Sequence, residues 1–139
     1  MAAFIKFYPF VEALAEKVHN LGSDTLKVLL SNTAPLQTNA VKADITEITP
    51  GNGYTAGGPT VTITSSVQTG GVYKLVGSDV VVTAAGGPIG PFRYVVLYND
   101  TAAADNLIGY WDYGSALTLA DTEAFTLDLS PANGILQLS

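Results

Sequence analysis

The hydrophobic period of this chain changes after Thr25, and that change limits the possible folds more than any other feature of the sequence. From there to the C-terminus, apolar and polar residues alternate in short runs separated by Gly, Pro, Asn and Asp. In the run TVTIT at residues 60–64, for example, Val61 and Ile63 alternate with threonines. Such alternation places one side of each strand on a core and the other side in water. The sequence therefore predicts a mainly β fold, an antiparallel β-sandwich or a jelly-roll-like domain.

About ten strands are expected. They are predicted at residues 25–31, 44–48, 60–67, 72–76, 79–84, 92–99, 107–113, 117–119, 124–129 and 135–138. The dipeptides Gly70–Gly71 and Gly77–Ser78 have the composition of tight two-residue hairpin turns, which predicts a meander over residues 67–84. The predicted core residues lie on the apolar side of an alternating run or within a wholly apolar run: Val61, Ile63, Val81, Val96, Phe125 and Leu127.

The first residues have a different pattern, that of an apolar arm followed by one helix. Pro9 suits the first helical turn, and Asn20 and Gly22 are residues that tolerate the left-handed backbone at a helix end. The residues with the spacing of one apolar helix face are Val11, Leu14, Ala15 and Val18. The 139 residues are expected to form a single domain, with an arm at 1–9, a helix at 10–21 and the β-sandwich at 25–139.

Composition excludes several classes of function. Charged residues make up only 13% of the chain against roughly 25% in ordinary domains, so part of the surface is expected to meet another protein. A net charge of −6 disfavours a nucleic-acid partner. No apolar run approaches the roughly 20 residues of a membrane span, and no secretion signal is evident, so we expect a soluble protein without a membrane partner. The absence of cysteine excludes disulfides, thiolate metal sites and thiol catalysis.

Two motifs suggest chemistry, but each has a stronger structural explanation. The string GNGYTAGG at residues 51–58 has the glycines of a phosphate-binding loop, but a β-branched run follows it where that motif requires a helix. A glycine-rich connection between strands is the favoured interpretation. His19, the single histidine, lies near the predicted helix end, where a capping or surface role is favoured over catalysis. No GxSxG stretch accompanies it, so the sequence predicts neither an enzyme nor a cofactor.

The region after residue 99 holds the remaining candidates. Asp112 and Glu123 could form the carboxylate pair of a glycosidase, but no pair of acids has a diagnostic spacing, and solvated acids at strand edges are the favoured interpretation. The neighbouring aromatic residues could stack on sugar rings, as in a tail-associated or fibre-associated glycan-binding module: Tyr110, Trp111 and Tyr113. A role in the core or at a subunit interface is the favoured interpretation of Trp111. The loop at residues 99–106 contains oxygen ligands suited to calcium, but its spacing differs from that of an EF-hand, and Asx turns are the simpler explanation.

Three stretches of the chain resemble a known family. They are FVEALAEKVHNLGSDTLKVLLSNTAP, VKADITEITPGNGYTAGG and FRYVVLYNDTAAADNLIGYWDYGSALTLADTEAFTLDL. These stretches, which lie between residues 10 and 129, are similar to small virion proteins of tailed bacteriophages, often described as decoration or capsid cement proteins. The resemblance implies a β-sandwich module added to the outer surface of an icosahedral head after synthesis in the host cytoplasm. It brings no catalytic residues with it.

The resemblance also implies partners. They would be the major capsid protein, whose adjacent subunits the chain would clamp against the pressure of packaged DNA, and further copies of itself in a trimer or a dimer. The contacts are expected from the arm at residues 2–9 and from loops at 32–43, 49–59 and 85–91. The apolar residues expected at these contacts are Phe4, Ile5, Phe7, Tyr8, Leu36, Tyr54, Ile89 and Phe92. In the competing interpretation, the arm docks on its own helix and sandwich.

Overall fold

A computed structural model describes residues 2–129 and 132–139 of the chain, so Met1 of the predicted arm lies outside the described residues. One α-helix, α1 (Tyr8–Ala15), and a short 3-10 helix at Lys42–Asp44 accompany the strands. The strands are β1 (Phe4–Lys6), β2 (Leu26–Ser31), β3 (Thr60–Val61), β4 (Ile63–Thr69), β5 (Val72–Gly77), β6 (Val80–Thr83), β7 (Ile89–Asn99), β8 (Leu107–Leu119), β9 (Ala124–Leu127) and β10 (Leu136–Leu138). The described residues are therefore mainly β with one N-terminal helix, as predicted.

The strands form three antiparallel groups. A large sheet has the order β1-β8-β7-β2-β3, a small sheet has the order β10-β5-β4, and β6 pairs with β9. Buried apolar residues from all three groups belong to one core cluster. The antiparallel, sandwich-like architecture predicted from the period-two pattern is confirmed.

The centre of the large sheet is buried on both faces. All six residues from Tyr94 to Asn99 in β7 are buried, so the side chains that point to either side of this strand are covered. The register places Val28 of β2 and Gly109 of β8 on either side of Leu97. A strand covered on both faces has a continuous apolar run instead of alternation, and the sequence YVVLY has that composition.

Three strand predictions need correction. The predicted strand at 60–67 is divided into β3, which pairs with β2 in the large sheet, and β4, which pairs with β5 in the small sheet. Residues 44–48 form no strand, because the Asp44 carboxylate accepts hydrogen bonds from the backbone N–H groups of Ala40 at 2.9 Å and Val41 at 3.2 Å and holds the chain in a turn. The predicted strands at 107–113 and 117–119 are one strand, β8. Its pairing with β7 is irregular near this point, and Gly114 has a φ of 84° that lets the strand bulge and continue.

The predicted meander is correct only in its first half. Thr69 pairs with Val72 across Gly70–Gly71, which confirms the first hairpin. The strands on either side of Gly77–Ser78 lie in different groups, because β6 pairs with β9 and not with β5. The backbone N–H of Gly77 donates to the Leu129 carbonyl at 3.0 Å, so this turn is fixed by a distant segment.

The predicted core is correct for three of its six residues and partly correct for two more. Val61, Val96 and Leu127 are buried, while Ile63 and Phe125 are half-buried. The prediction for Val81 is wrong, since its side chain is 56% exposed. Its neighbours Val80 and Val82 point inward instead. In the all-valine run of β6, the sequence contains no alternation that shows which side faces the core.

The helix is shorter than predicted, and it buries a different face. Phe10 is its buried residue and Leu14 is partly buried, whereas Val11 and Val18 are exposed. The helix ends at Ala15, and Lys17 takes the left-handed conformation with a φ of 70°. Asn20 and Gly22, predicted to end the helix, form a separate turn in which the Asn20 side chain accepts from the Gly22 N–H at 3.1 Å.

Candidate functional site

The N-terminal arm lies on the chain's own large sheet. In the antiparallel pairing of β1 with β8, Phe4 lies opposite Trp111 and Ile5 opposite Tyr110. The backbone N–H of Phe7 then donates to the Ile108 carbonyl at 3.1 Å. These contacts are those of the interpretation in which the arm docks on its own domain, where it adds a strand to the large sheet.

The predicted contact residues divide into three groups by burial. Phe7, Tyr54, Ile89 and Phe92 are buried in the core, so they offer no surface to a partner in this fold. Phe4 and Ile5 are half-buried. Only Tyr8 and Leu36 are exposed, at 58% and 64% of their surfaces.

The two exposed residues lie on the start of α1 and on the loop bonded to it, and together with Val11 of α1 we call these exposed apolar residues the arm patch, defined as Tyr8, Val11 and Leu36. Val11 is 52% exposed and follows Tyr8 by three residues on α1, a spacing that places neighbours on one helix side. The Tyr8 N–H donates to the Gln37 carbonyl at 2.7 Å, which holds the helix start against the loop that carries Leu36. Gln37 also donates from its side chain to the Lys6 carbonyl at 3.1 Å. The arm patch therefore consists of three exposed apolar side chains on two backbone segments that hydrogen bonds hold together.

The glycine-rich loop is anchored by a buried polar network. The Tyr54 hydroxyl donates to the Glu47 carboxylate at 2.6 Å and accepts from the backbone N–H of Leu30 at 3.0 Å. The Gly57 N–H donates to the same carboxylate at 2.7 Å, and the Gly57 carbonyl accepts from the Tyr98 hydroxyl at 2.6 Å. Burial and the adjacent Glu47 raise the pKa of Tyr54 above its usual range, so the phenol stays a donor.

Gly58 shows why this loop needs glycine. Its φ is 76°, and a Cβ placed on it would lie 1.7 Å from the Val28 carbonyl oxygen. The backbone of the loop thus rests directly on β2, where no side chain fits. The loop is a structural connection, which agrees with its interpretation from the sequence and limits its availability to a partner.

His19 lies in a buried polar network that the sequence did not predict. The residue is only 6% exposed, in contrast to the expected capping or surface role. Its Nδ1 lies 3.0 Å from Nδ2 of Asn99, which also donates to the Asp24 carboxylate at 2.7 Å. Because the Asn99 oxygen accepts from the backbone N–H groups of Thr101 and Ala102, its nitrogen must be the group that faces His19. His19 Nδ1 therefore accepts, and the neutral ring carries its proton on Nε2.

No sequence spacing indicates this network, because the fold creates it. Leu26 pairs with Asn99 across β2 and β7, and this register brings the residues just before β2 against the end of β7. Burial lowers the pKa of His19, and the nearby Asp24 carboxylate opposes that shift. An open crevice of about 600 Å³ runs beside the network, between the end of α1 and Tyr73 and Leu138 of the small sheet.

The three aromatic residues considered for glycan stacking do not form an exposed platform. Trp111 and Tyr110 are buried, and the Trp111 ring is in edge contact with Phe4, with ring centroids 5.2 Å apart. Tyr113 is half-buried against Phe125, with centroids 5.1 Å apart. Sugar rings stack on exposed aromatic faces. This burial counts against the glycan-binding alternative.

The candidate carboxylate pair is held by structural contacts. Both Asp112 oxygens accept from Arg93, at 2.8 and 3.1 Å, and this partner lowers the pKa of Asp112. Glu123 accepts from the Ala120 N–H at 2.7 Å in a turn. A catalytic general acid needs a raised pKa, so Asp112 has the opposite electrostatic environment.

The loop at residues 99–106 is organised by turns and by one ion pair. The Asn99 side chain caps the turn that follows it, as an Asx turn does, and the Asp100 carboxylate lies 3.5 Å from Lys27 Nζ. Asp105 has a φ of 51°. Within residues 2–129 and 132–139, no three His, Cys, Asp or Glu side chains are grouped as metal ligands would be.

Two further findings concern the chain as a whole. Among the residues that the structure describes, no helix is both long enough and apolar enough to span a membrane. Comparisons with protein-family models, with curated proteins and with solved structures found no match to this chain.

Proposed function

We propose that this chain is a structural protein of a tailed-bacteriophage virion, a cement or decoration protein that binds the outside of the head. The observation that carries the proposal is the arm patch, in which three exposed apolar side chains, Tyr8, Val11 and Leu36, lie on two segments joined by a backbone hydrogen bond. We take these side chains as the binding surface because contiguous exposed apolar patches mark sites of protein association. The sequence resemblance supplies the identity of the partner, the major capsid protein.

The charge of the chain supports a location on the outside of the head. With −6 net charge and few charged residues, the chain suits contact with protein and is repelled by nucleic acid. A decoration protein on the outer surface of a head is separated from the packaged DNA by the shell. The proposed localisation is accordingly the outer capsid surface, reached from the host cytoplasm during assembly.

The proposed mechanism uses binding energy alone. A module that binds two or three capsid subunits at once links them to one another. Separating these subunits then requires several of the module's contacts to break together. Placement over local symmetry axes of the shell would make the module a closed oligomer, a trimer or a dimer. The arm patch would contact the capsid subunit, and the pairing of β1 with β8 would hold the patch in place.

The test is occupancy on heads assembled without this protein. Leu36→Asp introduces a charge into the arm patch at a residue whose side chain is 64% exposed. We expect head occupancy to fall by at least about tenfold, because a charge at the centre of an apolar contact is strongly unfavourable. The free energy of unfolding of the isolated chain should change by less than about 0.5 kcal/mol, as is usual for a surface substitution.

Val81→Asp is the matched control, since Val81 is an exposed apolar residue on β6, outside the arm patch. It should leave head occupancy unchanged. If Leu36→Asp binds heads as the unmodified chain does, the arm patch is not the capsid contact. If the unmodified chain does not bind such heads at all, the proposed function is wrong.

A further inference from the structure

The free edges of the two larger sheets differ in length. The large sheet ends in β1 and β3, which contain three and two residues, and short edge strands offer little backbone for pairing. The small sheet ends in β4, which contains seven residues with the sequence ITSSVQT. This strand has no proline and no charged side chain, two of the features that prevent an edge from pairing with another chain. Its register with β5 is irregular between Ile63 and Ser65 and regular from Ser65 to Thr69.

The hairpin turn determines which backbone groups of β4 point outward. Thr69 and Val72 flank the two-residue turn, so they form a hydrogen-bonded pair, and bonded and non-bonded pairs then alternate along the strands. Gln68 and Ser66 are thus non-bonded positions with respect to β5, and their N–H and C=O groups point to the free edge. Among the described residues, β5 is the strand that pairs with β4, and no other strand covers this edge.

The side chains beside this edge are nearly free of charge. Val67 is 56% exposed on the outer face of the sheet. The shallow groove on that face contains a single charged residue, Lys74, among its lining residues Ser65, Val67, Thr69, Val72, Val76 and Gln137. Lys74 donates to the Ala132 carbonyl at 2.8 Å, toward the β10 side. On a chain with a net charge of −6, the lining residues of this groove include no acidic side chain that would repel a second copy.

We propose that β4 pairs antiparallel with β4 of a second copy about a two-fold axis at Val67. Ser66 of each copy then exchanges both backbone hydrogen bonds with Gln68 of the other, so that all four outward groups of these two residues find partners. The two Val67 side chains lie directly opposite each other in a non-bonded pair, where Cα atoms are about 4.5 Å apart. The two small sheets become one sheet of six strands, β10-β5-β4-β4-β5-β10.

A second copy fits this edge better than another kind of partner for two reasons. The register that is symmetric about Val67 uses every outward backbone group of Ser66 and Gln68, and symmetric contacts are typical of homodimers. The uncharged strand also meets itself without like-charge repulsion, whereas a charged partner strand would find no complementary charge. The inference rests on the self-association included in the proposed function and specifies a dimer contact within it.

The first test is sedimentation of the purified chain over a range of concentrations. We expect a monomer and dimer in equilibrium, and Val67→Lys should weaken dimer formation by more than about tenfold, because two lysines would face each other at the axis. Val81→Lys is the matched control, since Val81 is also 56% exposed on a strand but lies on β6. A chain that stays monomeric at all concentrations, or equal effects of the two variants, would overturn the proposal.

A covalent test checks the register. The chain has no cysteine, so Val67→Cys introduces the only thiol. At the two-fold axis, the expected Cα separation of about 4.5 Å lies within the range of roughly 4.4–6.8 Å that a disulfide requires. Mild oxidation should give a cross-linked dimer of Val67→Cys much faster than of Val81→Cys. Equal cross-linking of the two variants would contradict the pairing, while binding to heads would remain a separate question.

Discussion

The large sheet and the small sheet follow the same period-two rule but differ in what covers them. In the large sheet, successive residues of β7 from Tyr94 to Asn99 are all buried, and polar side chains there are engaged in short hydrogen bonds. In the small sheet, Leu75 is fully buried on the inner side while Val67 is mostly exposed on the outer side. The large sheet is therefore the stable centre of the fold, and the small sheet offers surface.

The difference also separates two kinds of polar contact. Near the large sheet, Tyr54 bridges Glu47 and the backbone of Leu30 in a buried position. In the small sheet, the Tyr73 hydroxyl lies 2.8 Å from the Ser66 hydroxyl in a half-buried position open to the crevice. Buried bonds leave an unpaired group when one partner is lost, whereas water replaces a partner at an exposed position. The same chemical change should thus cost more in the first region.

The largest difference is expected from truncation of one apolar side chain in each sheet. Leu97→Ala removes a fully buried side chain from the centre of β7 and should lower the free energy of unfolding by roughly 2–5 kcal/mol. Val67→Ala, at an exposed position of β4, should change it by less than about 0.5 kcal/mol. Urea unfolding of dilute protein measures both. Similar losses for the two variants would mean that the sheets are equally covered.

A smaller difference is expected from removing one tyrosine hydroxyl in each region. Tyr54→Phe leaves the buried N–H of Leu30 without an acceptor and should cost about 1–3 kcal/mol of unfolding free energy. Tyr73→Phe, which loses only the contact with Ser66, should cost about 0.5–1.5 kcal/mol. Both changes keep the ring, so packing is matched. An equal or larger cost for Tyr73→Phe would contradict the ranking of the two regions.

Much of this architecture could be predicted from the sequence, because period two is a local signal. The alternation around Val61 and the turn at Gly70–Gly71 indicate strands and a hairpin without knowledge of any distant residue. The pairing of β6 with β9 could not be predicted in this way, since it depends on which distant strand is nearest in the folded chain. Val81 was misplaced for a related reason, because neighbouring strands determine which side of an all-valine run faces inward.

The candidate sites were harder to predict than the strands. Apolar residues such as Phe7 and Phe92 were expected to contact a partner, but the fold uses them in its own core. An apolar residue in a loop or arm has the same sequence signal in both cases, and only burial distinguishes them. His19 shows the opposite error, because a polar residue expected at the surface is buried by the pairing of β2 with β7.

The smallest effect is expected from the ionisation of His19, which lies between the two regions beside the crevice. Burial lowers the pKa of the folded-state imidazole below its ordinary value of 6.5, while in the unfolded chain the ring titrates near 6.5. Between the folded and unfolded pKa values, the unfolded state binds more protons, so stability falls as the pH falls through that window. Below the folded pKa both states are protonated and this contribution becomes constant. Above about pH 7.5 both are neutral and it does not vary.

His19→Asn isolates this contribution from the carboxylates, which titrate at lower pH. Its amide oxygen takes a position near that of Nδ1 and accepts from Asn99 without titrating. As the pH falls below about 7, the unfolding free energy of the original chain should decrease relative to that of the variant. The difference between the two should then level off at lower pH. Urea unfolding at several pH values measures it. If this difference in unfolding free energy varies between about pH 8 and about pH 5 by no more than the error of the measurement, His19 keeps its ordinary pKa in the fold.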